Sequence, residues 1–286
     1  MPMPSDYIVR PAAEFDRGEI QSLFNNHRFV HRHLDWRNPL DWVAHQPFWV
    51  LEENHHLLGA LGCQPDPPEA AWVRLFACAS YLAPEQVWDL LFPHVCESLA
   101  QLPPAPLAAL ALQDWFTTIL RRNGFVHHQD IVVLAWHYNG ALPTPFESRV
   151  HIREMRAADL PAVAEVDHGA FDPLWQLSAT GLRLAFEQSA YATVAELPGR
   201  QVIGYQMSTS TLYSHHLARL AVSQEYQRLG IGSALLDDFL AETVHRDIWH
   251  VTVNTQHDNI NSITLYQKTG FELTGESFPI YLHREP

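Results

Sequence analysis

The feature that most constrains the fold of this chain is an internal repeat. Three segments of the first half return in the second half in the same order. The residues that align in them are Arg10 with Arg153, Gly59 with Gly204, and Gly124 with Gly270. These pairs lie 143, 145 and 146 positions apart, and a spacing this steady predicts a duplicated domain of about 140 residues. The alternative is that short apolar matches around glycine arise by chance.

A segment rich in turn formers and proline separates the two halves. Asn139-Gly140 is a turn signal, and Pro143 and Pro145 hold their neighbours in extended geometry. We therefore predict a first domain over residues 1–138, a linker over 139–149 and a second domain over 150–286.

Composition limits the classes of function. The formal net charge of −14 argues against a nucleic-acid partner and mildly favours a cationic one. No apolar run approaches the roughly 18 residues of a membrane span, and the N-terminal residues lack a signal-peptide pattern. We expect a cytoplasmic protein without a membrane partner.

Cysteine and histidine positions do not indicate a metal site. Cys63, Cys78 and Cys96 lack the spacing of metal ligands and are expected to be buried neutral thiols. His27, His31 and His33 are interpreted as part of a solvated histidine-rich loop. We therefore predict that no metal is bound.

Hydrophobic periodicity in the second half predicts alternating strands and helices. The expected strands are 150–155, 191–197, 201–212, 216–222, 247–254 and 271–283. The expected helices are 157–166, 233–244 and 261–270, with a less regular helical stretch over 172–188. Pro198-Gly199-Arg200 marks a hairpin. This order predicts an α/β protein with a mixed (α+β), largely antiparallel sheet and helices on both faces.

The segment EYQRLGIGSALL (225–236) places two glycines between a strand and a helix. Glycine lets main-chain N–H groups converge without a Cβ in the way, and the helix N-terminus adds partial positive charge, so the segment indicates a phosphate site. A Walker A loop needs Lys where Ser233 stands, and a dinucleotide fold needs a third glycine where Leu235 stands. A glycine loop without a ligand remains an alternative.

Two longer patterns resemble the GNAT superfamily of acyl-CoA-dependent N-acetyltransferases. LAVSQEYQRLGIGSALL (220–236) is similar to the family's strand, Gln/Arg-x-x-Gly-x-Gly/Ala loop and helix. VNTQHDNINSITLYQKTGFE (253–272) is similar to its late strand and to the helix that carries Asn, Tyr and Gly-Phe. The resemblance is specific over 216–272 and reaches residues 1–138 only through the repeat. It implies two tandem GNAT-like acyl-CoA N-acyltransferase domains.

The resemblance implies how the second domain would hold acetyl-CoA, its co-substrate. Main-chain groups of Leu220, Ala221 and Val222 would pair with the pantetheine arm like an added strand. Asn259 would hydrogen-bond the cofactor near its reacting end, and Tyr266, two helical turns later, would face the thioester sulfur. The main chain that would wrap the pyrophosphate is that of Arg228, Leu229, Gly230, Ile231, Gly232 and Ser233.

The same resemblance implies catalytic roles. The N–H of Val222 would stabilise the oxyanion, and Tyr266 would protonate the departing thiolate unless it is a tyrosine that only packs. Some family members carry a glutamate where this chain has Asn254, and an amide cannot accept a proton at neutral pH. The candidates for a general base, acting directly or through water, are His216, His257 and Asp258.

The first domain is expected to be degenerate. The counterpart of the glycine loop, residues 78–91, contains no glycine, and Leu120 stands where Tyr266 would act. This domain would therefore bind no acyl-CoA and would support the second domain or shape the acceptor pocket. In the second domain, the residues expected near the acceptor are Phe171, Trp175 and Tyr191.

The chain is thus predicted to transfer an acetyl group from acetyl-CoA to a primary amine of a small molecule or peptide, as a monomer or homodimer. Two alternatives stay open. One is a non-catalytic acyl-CoA-binding sensor, which the amide at Asn254 favours. The other is transfer of a larger acyl group.

Overall fold

The computed structural model describes residues 7–142, 150–199 and 201–284, which form two compact units. Unit 1 runs up to His128 and includes the chain from Pro279 onward, and unit 2 is Gln129–Phe278. These limits differ from the domain boundaries predicted above, because residues 129–138 belong to unit 2 and the last strand ends in unit 1. Pro143 and Pro145 of the predicted linker lie outside the described residues.

Unit 1 combines a five-stranded antiparallel sheet with further strands and helices. Its elements are β1 (Ile8–Pro11), α1 (Arg17–Asn26), β2 (Phe29–Arg32), β3 (Phe48–Glu53), β4 (His56–Gly62), β5 (Ala71–Trp72), β6 (Leu75–Cys78), α2 (Pro84–Leu99), β7 (Leu107–Leu110), α3 (Asp114–Arg122) and the start of β8 (Phe125–His137). The five-stranded sheet has the order β1-β3-β4-β6-β2. β7 pairs with β5 in parallel and with residues 280–282 in antiparallel orientation.

The histidines of unit 1 correct one prediction. His31 lies on β2 and is only 3% exposed, its ring stacks on Phe116 at 4.0 Å, and its Nε2 is 3.0 Å from the Val73 carbonyl oxygen. His33 stacks on Trp72 with ring centroids 4.5 Å apart. The prediction of a solvated histidine-rich loop is therefore wrong, because His31 is buried and His27 and His33 are half-buried. The partners of His27 are the Ser80 hydroxyl and N–H, at 3.2 and 3.0 Å from its Nδ1.

The three cysteines were predicted to be buried neutral thiols, and the structure agrees for Cys63 and Cys78 and in part for Cys96. Cys63 and Cys78 are buried, Cys96 is partly buried, and all three are free thiols. Burial raises the pKa of Cys78 to about 12 and that of Cys96 to about 11, so both thiols stay neutral.

Unit 2 contains the second half of the repeat. Its elements are the rest of β8, β9 (His151–Glu154), α4 (Leu160–Ala170), α5 (Ala179–Gln188), β10 (Tyr191–Glu196), β11 (Val202–Ser210), β12 (His215–Val222), α6 (Ile231–His245), β13 (His250–Gln256), α7 (Ile260–Lys268) and the start of β14 (Glu272–His283). The strand order is β14-β8-β13-β12-β11-β10-β9. β12 and β13 pair in parallel, whereas the pairs β9–β10, β10–β11, β11–β12 and β8–β13 are antiparallel.

Helices lie on both faces of the unit 2 sheet, as predicted. A Cβ at Gly204 would lie 3.4 Å from Ile231 and 3.3 Å from Leu235, both on α6. The next residue, Tyr205, hydrogen-bonds Asp167 on α4. Because successive strand residues point to opposite faces, α4 and α6 cover opposite faces of the sheet. No helix among the described residues is long and apolar enough to span a membrane.

The repeated arginine forms the same ion pairs in each unit. In unit 1, the two Nη atoms of Arg10 each lie 2.7 Å from Asp16, and its Nε lies 2.7 Å from Glu52. In unit 2, the Nη atoms of Arg153 lie 2.7 and 2.8 Å from Asp159, and its Nε lies 2.7 Å from Glu196. The sequence repeat therefore corresponds to repeated geometry, which argues against chance matches.

Candidate active site

Strands β12 and β13 separate part-way along their length. Residues 215–217 of β12 pair with residues 251–253 of β13, and the pairing stops there. β12 itself continues along β11 as far as Val222. Met207 pairs with Arg219 and Ser208 with Leu217, so Ala218 is an extra residue in β12. Such a bulge bends a strand and ends pairing. Beyond Leu217, the β13 side of β12 is therefore an open sheet edge within the described residues.

The pairing of β12 with β11 fixes which peptide groups face this open edge. The N–H of Ser223 donates to the carbonyl of Ile203 at 2.8 Å. Because peptide groups alternate sides along an antiparallel strand, those of Leu220 and Val222 point away from β11 and those of Ala221 point toward it. The predicted pairing with a pantetheine arm is thus available to Leu220 and to the Val222 N–H, whereas the sheet already uses Ala221 and the Val222 carbonyl accepts from Gln227 Nε2 at 3.1 Å.

The loop after β12 ends in an uncapped helix N-terminus. Arg228 and Gly230 have φ values of 62° and 78°, in the left-handed region that favours glycine. Gly230 is the N-cap of α6 and supplies no side-chain acceptor, and the first intrahelical bond is from the Ala234 N–H to its carbonyl at 2.9 Å. The N–H groups of Ile231, Gly232 and Ser233 therefore lack helical acceptors and can bind an anion. Leu229 is largely exposed beside them.

Gly232 leaves space that a side chain would fill. A Cβ at this position would lie 3.2 Å from Leu265 Cδ2, 3.8 Å from Leu220 Cδ2 and 3.9 Å from Val222 Cγ2. These apolar side chains come from α7 and from the open edge of β12. Glycine therefore lets these side chains lie close to the main chain at the start of α6, where any larger residue would crowd Leu265.

Asn259 is the N-cap of α7. Its Oδ1 accepts a hydrogen bond from the Ser262 N–H at 3.1 Å, and its Nδ2 is 3.5 Å from the side-chain oxygen of Gln256. The cap explains why asparagine starts this helix. Its amide nitrogen, which makes only the long contact, is the part that could also bind a ligand.

Tyr266 lies on α7, at the base of the separated strands. It is 5% exposed and packs on Phe271 with ring centroids 5.7 Å apart. Burial raises its pKa, and no other described group contributes to that shift. The phenol therefore stays protonated at neutral pH and can act as a proton donor.

The candidates for a general base lie in different surroundings. His216 lies in the paired part of β12, its Nδ1 is 2.9 Å from Thr252 Oγ1, and burial lowers its pKa so that it is neutral. His257 is exposed and exchanges main-chain and side-chain hydrogen bonds with Asp130. Asp258 and Asn254 are also exposed. None of these side chains contacts Tyr266 among the described hydrogen bonds.

A buried charged cluster near the bulge was missed by the sequence analysis. Arg219 Nε and Nη2 lie 2.6 and 2.8 Å from the two oxygens of Asp167, which is fully buried, and Arg219 Nε lies 3.0 Å from the Tyr205 hydroxyl. Tyr205 also donates to Asp167. A charged residue inside the apolar strand HLARLAV was the one sequence signal for such a pair.

The residues expected near the acceptor are separated by the structure. Arg219 lies over the ring of Phe171 at 3.9 Å and donates to the Trp175 carbonyl at 2.7 Å, so these two belong to the α4 face. The Tyr191 hydroxyl donates to Asp238 on α6 at 2.9 Å, so it belongs to the opposite face. The expectation that all three share one region is wrong, because Tyr191 points to the other side of β10.

Comparison with known sequences points to one family. Residues 166–279 match the profile described as the acetyltransferase (GNAT) domain. An uncharacterized N-acetyltransferase of Methanocaldococcus jannaschii is 40% identical over 88 residues, which cover 30% of this chain and 53% of that protein. The [ribosomal protein bS18]-alanine N-acetyltransferase of Escherichia coli is 28% identical over 125 residues, covering 42% of this chain and 79% of that protein. The chain thus matches only about half of the first of these relatives.

Solved structures extend the similarity of fold to both units. A GCN5-related N-acetyltransferase from Sphaerobacter thermophilus has a TM-score of 0.63 at 14% identity, covering 98% of this chain and 96% of that one. A tandem GNAT protein from the clavulanic acid biosynthesis pathway has a TM-score of 0.66 at 15% identity, covering 97% and 98%. These likenesses show the fold alone, which is that of two GNAT-like domains. The profile match shows that residues 166–279 of unit 2 belong to a GNAT acetyltransferase domain, and the likeness of fold extends over both units.

Proposed function

We propose that unit 2 transfers an acetyl group from acetyl-CoA to a primary amine. The observation that carries the proposal is the uncapped N-terminus of α6 beside the open edge of β12. The main chain from Arg228 to Ser233 would bind the pyrophosphate, with the charge of the helix dipole in its favour. Leu220 and Val222 would pair with the pantetheine arm as a further strand would.

The position of each donor along β12 suggests which one serves the reaction. The phosphate donors follow Val222, so an arm that runs from them along the edge reaches Leu220 next and then the point where β12 meets β13. The reacting end would therefore lie nearer to Leu220 than to Val222. We assign the oxyanion interaction to the Leu220 N–H and a binding role to the Val222 N–H, which revises the role predicted for Val222.

When bound, acetyl-CoA supplies an activated acyl group as a thioester. The chain's part is to hold the carbonyl oxygen at a main-chain N–H and to return a proton to the sulfur from Tyr266. The proton acceptor is the thiolate that forms as the carbon–sulfur bond breaks, and the protonated phenol would stabilise that thiolate by a hydrogen bond as it donates. The amine must lose a proton before or during attack, and with Asn254 in place of an acid this would pass through water to His257 or Asp258.

The acceptor is proposed from chemistry and from one relative. The net charge of −14 favours a cationic amine. The E. coli relative is named for acetylating an alanine of a ribosomal protein, so a peptide that begins with alanine is a candidate. A soluble polyamine and free lysine represent the small-molecule class.

The test measures donor binding and thiol release separately. Calorimetry with coenzyme A and acetyl-CoA on the purified chain should show one site. An assay of free thiol with an alanine-initiated hexapeptide, spermidine and lysine should then show release above the rate without amine. Binding without release from any amine would favour an acyl-CoA sensor, and faster release from longer acyl-CoA would favour transfer of a larger group. No heat with coenzyme A would reject the proposal.

A further inference from the structure

The cluster of Asp167, Tyr205 and Arg219 joins three elements of unit 2. Asp167 lies on α4, Tyr205 on β11 and Arg219 on β12. Burial raises the pKa of Tyr205, which keeps its hydroxyl protonated as a donor to Asp167. Burial alone would lower the pKa of Arg219, but Tyr205 and Asp167 outweigh it and hold the guanidinium in its charged form. The three groups therefore satisfy one another.

The same cluster fixes the segment between α4 and α5, residues 171–178. Arg219 Nη2 donates to the Trp175 carbonyl at 2.7 Å, and its guanidinium lies 3.9 Å from the centroid of the Phe171 ring. Asp167 accepts from the Leu177 N–H at 3.2 Å. Gln176 adds a further tie, since its side chain donates to the Phe171 carbonyl at 2.9 Å. The segment is thus attached to Arg219 of β12 through Phe171 and Trp175, and to Asp167 of α4 through Leu177.

The fold itself does not require these charges. Strand register identifies the unit 1 counterparts of Tyr205 and Arg219. Tyr205 pairs with Ala221 as Ala60 pairs with Ala77, so Ala60 is the counterpart of Tyr205. Arg219 pairs with Met207 as Leu75 pairs with Gly62, so Leu75 is the counterpart of Arg219. The spacing from Asp16 and Asp159 gives Phe24 as the counterpart of Asp167. In unit 1, Ala60 and Leu75 are fully buried in one apolar cluster against which Phe24 packs.

A buried ion pair contributes little net stability compared with apolar residues of similar volume. Unit 2, which has the open edge of β12, carries the charged cluster, whereas unit 1 carries apolar residues at the same positions. This difference indicates that the charged cluster serves the reaction. Arg219 also precedes Leu220, so it holds the peptide unit whose N–H we assign to the oxyanion.

We propose that Arg219, held by Asp167 and Tyr205, is a positioning residue that fixes segment 171–178 and the Leu220 N–H relative to each other, so that the acceptor amine meets the carbonyl carbon. The proposal rests on the proposed function of unit 2. Nε and Nη2 of Arg219 are bonded to Asp167, Tyr205 and the Trp175 carbonyl, which fits a positioning role. At a strand rise of about 3.3 Å per residue, the Cα atom of Arg219 lies roughly 10 Å from that of Val222 along β12.

The test replaces the cluster with apolar residues of similar volume, as D167L/Y205F/R219M. The triple variant should fold with a melting temperature close to that of the wild type, and its Kd for acetyl-CoA should stay within about twofold. With the amine that the wild type uses best, its KM should rise at least tenfold. Hydrogen exchange of the amides in residues 172–177 should become at least tenfold faster. A wild-type KM and kcat, or unchanged exchange, would overturn the proposal.

Two further proteins keep the test decisive. R183M removes the exposed Arg183–Glu187 pair on α5, which does not touch the segment, and should leave KM and exchange unchanged. If the triple variant does not fold, Y205F removes one hydroxyl only and should still raise the KM of the acceptor severalfold without changing the Kd of the donor. A wild type that binds no acetyl-CoA would reject the proposed function and this inference together, whereas an unaltered variant would reject this inference alone.

Discussion

Gly232 of unit 2 and Trp88 of unit 1 occupy equivalent positions in two copies of one fold. Val87 of α2 lies against Gly59, and Ile231 of α6 lies against the equivalent Gly204. The next residues along the two helices, Trp88 and Gly232, therefore correspond. Trp88 is fully buried, and its ring lies 5.2 Å from that of Phe76. Where unit 2 has a glycine beside the strand edge, unit 1 has an indole ring.

The start of the helix differs in the same sense. α6 begins at Ile231, after its N-cap Gly230, whereas α2 begins at Pro84, three residues before Val87, the counterpart of Ile231. Pro84 has no N–H to offer, and Glu85 places a negative charge in the first turn, where it opposes an anion. Unit 1 thus lacks the donors and the space that unit 2 has, and we propose that it does not bind the donor.

Features that both units keep are those that hold the scaffold. Arg10 and Arg153 make matching ion pairs, and Gly124 and Gly270 both adopt positive φ after a helix. The residues that differ include those beside the open edge of β12 and at the start of α6, where the donor is proposed to bind. The same scaffold therefore forms with the strand edge beside the helix open, as in unit 2, or covered by apolar side chains, as in unit 1.

The strongest test of this contrast is to give unit 2 the residue that unit 1 has. G232W should abolish binding of coenzyme A, with at least a 100-fold loss in affinity by calorimetry, because the indole would occupy the space beside Leu220 and Leu265. G232A should have a smaller effect, since its Cβ would lie 3.2 Å from Leu265 Cδ2 and that side chain can move.

The matched control is G18W. Gly18 lies on α1, and a Cβ there would have nothing within 4 Å, so this tryptophan should leave binding unchanged. Unchanged affinity in G232W would mean that the donor does not bind at α6.

The second test concerns Tyr266, whose unit 1 counterpart is the buried Leu120. Y266F should lower kcat by about 100-fold, because the sulfur would lose its proton donor, while the Kd for acetyl-CoA stays within twofold. Stopped-flow or steady-state thiol release measures the first quantity and calorimetry the second. Full activity in Y266F would remove Tyr266 from the mechanism and leave it a packing residue.

Local sequence patterns predicted most elements of unit 2. Strand and helix periodicity placed β9 to β14 within a few residues, because each element carries its own alternation of apolar side chains. The glycine loop was recognisable as a local motif, and Gly230 is needed there because its φ is positive. The peptide direction at Ala221 was not predictable, because it depends on the register with β11.

Features that depend on distant partners were missed. Residues 131–137 pair with β13, and residues 280–282 pair with β7, and neither pairing leaves a local signature. Asp167 and Arg219 are 52 residues apart and each looks like an isolated charge. His31 resembled a solvated residue because its partners, Phe116 and Val73, are remote in the chain.

The third test uses the buried histidine of unit 1. Burial lowers the pKa of His31 to about 4, so the imidazole is neutral in the folded chain and gains a proton on unfolding below pH 6.5. Its contribution to stability is complete above that pH and is lost as the pH falls toward 4, by up to about 3 kcal/mol. H31Q should flatten the dependence of the denaturation midpoint on pH between 6.5 and 4.5.

H128Q is the control for that measurement, because His128 is an exposed residue of the same unit. Its midpoint should change with pH as in the wild type. An unchanged slope in H31Q would show that His31 does not carry the acid sensitivity of unit 1.

The smallest expected effects come from the paired glycines that end α3 and α7. Gly124 and Gly270 have φ values of 79° and 93°, and a Cβ at either position would make only ordinary contacts, with closest approaches of 3.4 and 3.5 Å. G124A and G270A should each lower the free energy of unfolding by about 1 kcal/mol, because alanine is strained at positive φ. G18A, on helix α1 with open space around it, should instead be neutral or stabilising. Denaturant midpoints measure all three, and a difference above about 1 kcal/mol between G124A and G270A would mean that the two helix ends are not equivalent in energy, although their backbones match.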